Sequence, residues 1–288
     1  MKKEEGFVIL TAASEKYVNS LYVLIQSVRR NWSRVIPIHV YNLGLSVEAV
    51  AQIRSLVGVE VIKVPEFCEH WRRHYTWKLW IIAHCEYDRF LWMDSGVFVL
   101  RSLDGILNAI DESGLFLVPN YQDLSVEAPD ASVYACGLTH AQLKGRSSVS
   151  ANIMGGCTHS PKFIVFKTAY ELALNEGNVS AVNDRHRHDQ ALVSCVLYSK
   201  YPDYAFYDGM IYAGWSGPSH ANGQVCWGHR RAVLAYDRDQ LNRLEGSVVG
   251  GYRPLDPRLH TSIFIKMFRV FRGRVGQYIE KGKRLGLR

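Results

Sequence analysis

The sequence has no paired cysteines. Its six (68, 85, 136, 157, 195 and 226) never come closer than 17 residues, which excludes a Cys-x-x-Cys zinc or redox motif. A chain of 288 residues can bury a sufficient core without crosslinks, so the thiols are expected to be reduced and mostly buried. Proline is scarce, with 9 residues, and no glycine period or low-complexity stretch appears, which rules out a collagen-like or disordered chain. No run approaches the ~20 apolar residues of a membrane span. Acids at Glu4 and Glu5 precede the short apolar stretch Phe7-Val8-Ile9-Leu10; a secretory signal needs a longer apolar region and no acids beside it, so a cytoplasmic location is expected. Nucleotide-cofactor signatures are missing too. There is no Gly-x-Gly-x-x-Gly after the first apolar run and no Walker loop, and the Gly-x-Ser-x-Gly elbow of serine hydrolases is absent.

What is present is organised. The net charge of +7 is concentrated at one end: residues 253–288 hold ten Lys/Arg against Asp256 and Glu280, a net of +8, so the other 252 residues sum to −1. That partition suggests a body over 1–252 and a basic extension over 253–288, the extension facing an anionic partner. In the extension, Phe264, Met267, Phe268, Phe271, Val275, Tyr278 and Ile279 recur at helical spacing between Lys266, Arg269, Arg272 and Arg274. A basic amphipathic helix of this kind is expected to lie on an anionic membrane surface, the inner face for a cytoplasmic protein. The plain alternative is a helix packed on the body. No nucleic-acid motif accompanies the charge, so nucleic acid is not expected as a partner.

Strand and helix signals alternate through the first hundred residues. Strands are expected at Gly6–Thr11, Ile36–Tyr41, Val59–Val64 and Arg89–Met93. Helices are expected from Tyr17 through Val28, over Ser46–Leu56 with Ser46 as cap, and over Thr76–His84. Continuous apolar strands separated by helices imply a mainly parallel sheet covered on both faces. Ligands of such sheets sit beyond the carboxyl ends of the strands, which directs attention to Thr11–Ser14 and to Asp94–Gly96. Further on, Leu115–Pro119 and Asn152–Cys157 read as strands, with short ones near Tyr204–Tyr207 and Val225–Trp227. Pro161–Asn175 and His188–Lys200 read as helices, and the polar stretch Asn120–Ser150 as a long functional loop.

The sharpest local feature is Arg89-Phe90-Leu91-Trp92-Met93-Asp94-Ser95-Gly96, an apolar strand that stops abruptly at an acid. A carboxylate there can hold a divalent cation, or it can simply cap a turn. Lys78, on the preceding helix, can reach a phosphate or sugar hydroxyl, or be an ordinary solvated lysine. His186-Arg187-His188-Asp189-Gln190 can hold a metal through two imidazoles, or be an exposed polar cap. Trp71, Trp77, Trp80 and Trp92 suit a core, and Trp215 suits a buried anchor or a sugar-stacking ring.

Taken in order, Phe7–Asn31, Trp77-Lys78, Trp92-Met93-Asp94-Ser95-Gly96, Asn152-Ile153-Met154-Gly155-Gly156 and His188-Asp189-Gln190-Ala191-Leu192 resemble GT-A fold glycosyltransferases, in particular family 8-like enzymes. The resemblance covers about residues 6–230. It implies a GT-A-like α/β fold and retaining sugar transfer from a UDP- or GDP-linked donor to a glycan or glycolipid acceptor. By the same resemblance Thr11, Ala12, Ala13, Tyr17, Asn152 and Gly155 would border the nucleotide and donor, Asp94, Ser95 and Gly96 the diphosphate, and Lys78, Asp189 and Gln190 the reacting sugar. Gly96 stands where the family's motif has a second Asp. A Mn²⁺ or Mg²⁺ ion would then be held by Asp94 and a later residue, His229 or His220. The missing carboxylate also leaves open a catalytically silent binding or scaffold protein of the same fold.

Overall fold

The computed structural model describes residues 6–180, 188–213 and 223–228. The basic extension over 253–288 and the residues His186, Arg187, Trp215, His220 and His229 lie outside them.

The first strand, β1 (Phe7–Ala13), is buried along its whole length. Its side chains divide by the two-residue period of a strand. Phe7 and Ile9 enter one apolar layer, Val8 and Leu10 the other. Helix α1 (Val18–Asn31) covers the first layer through Leu21, Leu24, Ile25 and Val28. The chain continues through β2 (Ile38–Asn42), α2 (Val47–Arg54) and β3 (Val59–Lys63). Ser46 caps α2 as the sequence predicts, its hydroxyl accepting from Ala49 N at 3.2 Å. Helix α3 (Thr76–Ala83) leads into β4 (Arg89–Met93), then β5 (Val97–Val99), α4 (Asp104–Ser113) and β6 (Leu115–Asp123).

The six-stranded sheet has the order β3-β2-β1-β4-β7-β6, where β7 is Ser147–Cys157. The first four strands are parallel, and β7 runs antiparallel between β4 and β6. The sheet is therefore mixed and mainly parallel, with helices on both faces. β1 pairs with β4 only as far as Leu10 opposite Trp92, while its pairing with β2 continues to Ala13. The carboxyl ends of β1 and β4 thus part, which opens the crevice expected where strand order reverses.

The second apolar layer is closed by α3, α8 (Ile164–Ala173) and α9 (His188–Lys200). Strand β5 pairs antiparallel with β8 (Cys226–Gly228), next to the short helix α10 (Gly209–Tyr212).

Three sequence expectations are corrected here. The stretch 120–150 is no loop. β6 runs on to Asp123, the short helices α5 (Leu124–Glu127), α6 (Asp130–Ala135) and α7 (His140–Leu143) follow, and β7 starts at Ser147. Leu124, Ala128, Val133 and Leu143 pack with Ala191, Cys195 and Tyr198 of α9 in a small core of their own; helices of four to six residues carry too few turns to show a period. Around Tyr204–Tyr207 there is no strand; Tyr207 N donates to Leu117 O at 3.1 Å, and the Tyr204 hydroxyl donates to Leu115 O at 2.8 Å. All six cysteines are free, but only Cys195 and Cys226 are buried. Partial burial still pushes the Cys85 thiol up to about 11.

Candidate active site

Helix α3 reads Thr-Trp-Lys-Leu-Trp-Ile-Ile-Ala and buries Thr76, Leu79, Ile81 and Ile82. Lys78 is buried with them, its side chain only 3% exposed. It is not a solvated lysine. An ammonium in such surroundings costs several kcal/mol unless it is paired, and Lys78 is paired three times. Its Nζ lies 3.0 Å from Asp94 Oδ1, 2.9 Å from Asp189 Oδ2 and 3.1 Å from the Ala151 carbonyl. Two carboxylates and one carbonyl thus surround the ammonium. Burial pulls the Lys78 pKa down, but Asp189 and Asp94 outweigh it and hold the group above the ordinary lysine range. It stays charged.

Each partner arrives from a different element. Asp94 follows the last residue of β4. Its N–H donates to Asn152 O at 2.8 Å, and its carbonyl accepts from Val97 N at 2.9 Å, closing the turn that contains Ser95 and Gly96. The backbone thus does form the turn the plain alternative expects. The side chain is used otherwise: Oδ1 also accepts from Trp92 Nε1 at 3.0 Å. Asp189 and Gln190 open α9, and both are buried at 5% and 8% exposure, which overturns the exposed-cap alternative. The Gln190 amide donates to Ser148 Oγ at 3.0 Å. Asp189 Oδ2 faces Lys78 as an ion pair but has no aligned hydrogen-bond donor, so a buried acceptor remains. Asp94, with its side chain 13% exposed, is where this triad meets solvent.

Around the triad, β7 supplies a polar rim. Ser150 Oγ donates to Asn152 Oδ1 at 2.7 Å, and Asn152 lies opposite Asp94. Aromatic rings enclose the ammonium, with Trp92, Tyr75 and Trp77 centroids 5.4, 5.5 and 6.0 Å from Nζ. Thr11, Ala12 and Ala13 end β1 beside the crevice as buried, small residues; Thr11 Oγ1 is sealed in without a hydrogen-bond partner. Tyr17 sits in the turn that leads into α1 and packs against the first apolar layer.

Gly155 does not join this group. It sits within β7 opposite Leu91, where a Cβ would come within 2.7 Å of Ile110 Cδ1. Its smallness lets α4 pack on the sheet. Of the two histidines at 186 and 188 only His188 is described: its Nδ1 is 2.8 Å from Val179 O, and its ring lies against His74 at 4.7 Å.

Sequence reasoning missed Ser148, Ser150, Trp92 Nε1 and the turn before α3. Ser148, Ser150 and Asn152 do recur at a spacing of two, the mark of a strand, but their polarity reads as loop. In that turn His74 and Tyr75 have φ of 55° and 57°, a left-handed strain of about 1–3 kcal/mol per residue, which nothing in their side chains signals.

Among the described residues, no group of three or more His, Cys, Asp or Glu is placed to hold a metal ion. The triad does fit a cation in charge, since two carboxylates face one ammonium and Asp189 Oδ2 retains accepting capacity. In number it falls short: of the two carboxylates Asp94 is the one that reaches solvent, and Gly96 adds none.

No protein-family model matches the sequence, and no curated protein matches it. Solved structures do. An active-site mutant of LgtC is 17% identical, covers 85% of this chain and 98% of its own, and has a TM-score of 0.51. The galactosyltransferase LgtC in complex with donor and acceptor sugar analogs is 17% identical over the same shares, with a TM-score of 0.50. The chain therefore has the GT-A-like fold, a mainly parallel α/β sheet that carries its polar centre at the parted ends of β1 and β4.

Proposed function

We propose that the protein is a nucleotide-sugar-dependent glycosyltransferase whose reaction centre is the Lys78–Asp94–Asp189 triad. The single observation that carries this reading is a fully paired, buried ammonium at the carboxyl end of β4 in this fold. Buried charge of this kind is expensive and clusters at functional sites. Thr11, Ala12, Ala13 and Tyr17 border the nucleotide of a UDP- or GDP-linked donor, and the turn Asp94-Ser95-Gly96 faces its diphosphate. The donor sugar lies near Asp189 and Gln190, with Asn152 on the facing strand. As the glycosidic bond lengthens, the sugar carbon gains positive character, and the excess carboxylate charge of the triad stabilises it. Lys78 keeps both carboxylates fixed, so they need not reorganise during the reaction. Transfer with retention is the expected outcome.

A Mn²⁺ or Mg²⁺ ion, when bound, would neutralise the leaving diphosphate. Asp94 would hold it, with His229 or His220 as partner. The proposed acceptor is a glycan or a lipid-linked sugar. The Phe-rich basic segment supports docking on the anionic inner face of a membrane, where each Lys or Arg contributes about 1 kcal/mol. Removal of residues 261–288 should then abolish binding to anionic liposomes and spare transfer to a soluble acceptor. An unfolded truncated chain would instead make the segment part of the core.

A thermal-shift screen of nucleotide sugars with and without Mn²⁺ tests the reading, because a ligand at a hundredfold its Kd stabilises the native state by about 2.7 kcal/mol. Gly96 supports a second reading, a silent binding protein of the same fold. Such a protein would show the shift and release no UDP or GDP.

A further inference from the structure

The turn entering α3 is strained. His74 and Tyr75 are successive left-handed residues, a conformation that glycine, and less readily Asn or Asp, adopts at low cost. His74 is clamped in place. Its Nε2 lies 3.2 Å from Glu176 Oε1, an oxygen that Arg73 also reaches at 3.0 Å, and its ring packs on His188. Tyr75 differs: it is 38% exposed, yet its ring centroid lies 5.5 Å from Lys78 Nζ, 6.0 Å from Trp77 and 6.3 Å from His188. Tyr75 thus touches both the buried triad and solvent. A turn that needed only its shape would be better served by glycine. Strain of this kind persists where the surrounding structure over-determines it, as it does at ligand clamps.

We propose that Tyr75 is the platform on which a pyranose ring stacks as it reaches the Lys78–Asp94–Asp189 centre, a role that rests on the glycosyltransferase reading. The apolar C–H face of a pyranose matches the electron-rich face of a phenol ring. The backbone strain holds that ring at the mouth of the site rather than in the core. The ring belongs either to the donor sugar or to the acceptor, and the test separates the two.

Affinities of wild type, Tyr75→Phe, Tyr75→Ala and Tyr75→Gly would be measured for UDP, UDP-galactose and UDP-glucose, for their GDP counterparts, and for a panel of methyl glycosides, alongside melting temperatures. Tyr75→Phe should bind like wild type. Tyr75→Gly and Tyr75→Ala should lose about tenfold in affinity for the sugar ligand and bind the bare nucleoside diphosphate unchanged. A loss for the sugar nucleotide assigns the donor ring, and a loss confined to glycosides assigns the acceptor ring. Tyr75→Gly should melt at or above the wild-type temperature, because glycine takes a left-handed φ freely. Equal loss for sugar ligand and bare diphosphate, no loss at all, or a marked fall in the melting temperature of Tyr75→Gly would overturn the role. If wild type binds no nucleotide sugar, the glycosyltransferase reading fails; Tyr75 then stands on the glycosides alone, and falls if wild type does not bind them or Tyr75→Ala binds them equally.

Discussion

The two sides of the crevice are built from opposite materials. On the β1 side, Thr11, Ala12 and Ala13 are small, buried and uncharged. On the β4–β7 side, Lys78, Asp94, Asp189, Gln190, Ser148, Ser150 and Asn152 bring charge and directed hydrogen bonds into the same interior. A parallel sheet buried on both faces admits little polar material within its strands. The polar side therefore collects where the sheet changes character, at the antiparallel strand β7 and the two helices that cover its end.

The largest effect should come from removing the ammonium. Lys78→Met keeps length and apolar bulk but leaves Asp94 and Asp189 buried face to face, and should cost about 3–5 kcal/mol in urea unfolding. Pairing it with Asp189→Asn should recover part of that loss, since residues of one charge network do not add. If Lys78→Met is as stable as wild type, the polar side is ordinary core.

Next comes Asp94→Asn, which keeps size and removes charge. It should abolish turnover and any Mn²⁺-dependent stabilisation by nucleoside diphosphate, while leaving the fold intact. Turnover like that of wild type would reduce Asp94 to a turn residue.

A pH titration sharpens the same contrast. The Lys78 pKa is raised in the folded protein, so the unfolded chain loses that proton first as pH rises. The stabilising contribution is complete below the unfolded value of about 10.4 and is lost as pH climbs through the higher folded value. Wild type should show this alkaline loss in excess of Lys78→Met.

On the neutral side the expected effect is smallest and of opposite sign. Thr11→Val replaces a buried, partnerless hydroxyl by a methyl of similar shape, and should stabilise the fold by about 1 kcal/mol. A loss of stability would mean that the hydroxyl has a use.

These two sides also differ in how well the sequence shows them. The β1 side follows local rules. Continuous apolar strands, the amphipathic face of α1 and the Ser46 cap are each written within a few residues, and β4 and α9 begin and end where their patterns do. Lys78, Asp94 and Asp189 stand out because charges interrupt apolar runs. Their mutual pairing does not, since it joins positions 78, 94 and 189 through tertiary contacts alone. Only the first half of β7, before Asn152, stays hidden, and for a local reason: Val149 and Ala151 pack in one apolar layer and Ile153 in the other, so alternation breaks at Asn152. Gly155, packed against Ile110, shows the limit of a motif. A glycine needed for helix packing and a glycine needed for ligand approach look the same in a sequence.

The most direct test of the triad as reaction centre is nucleoside diphosphate release from a nucleotide sugar, measured side by side for wild type and Asp189→Asn. Wild type should release UDP or GDP. Asp189→Asn should melt as a folded protein, keep KM within a few-fold, and lose on the order of a hundredfold or more in kcat. Release at the wild-type rate by Asp189→Asn, or no release by wild type from any donor with or without Mn²⁺, would contradict the assignment.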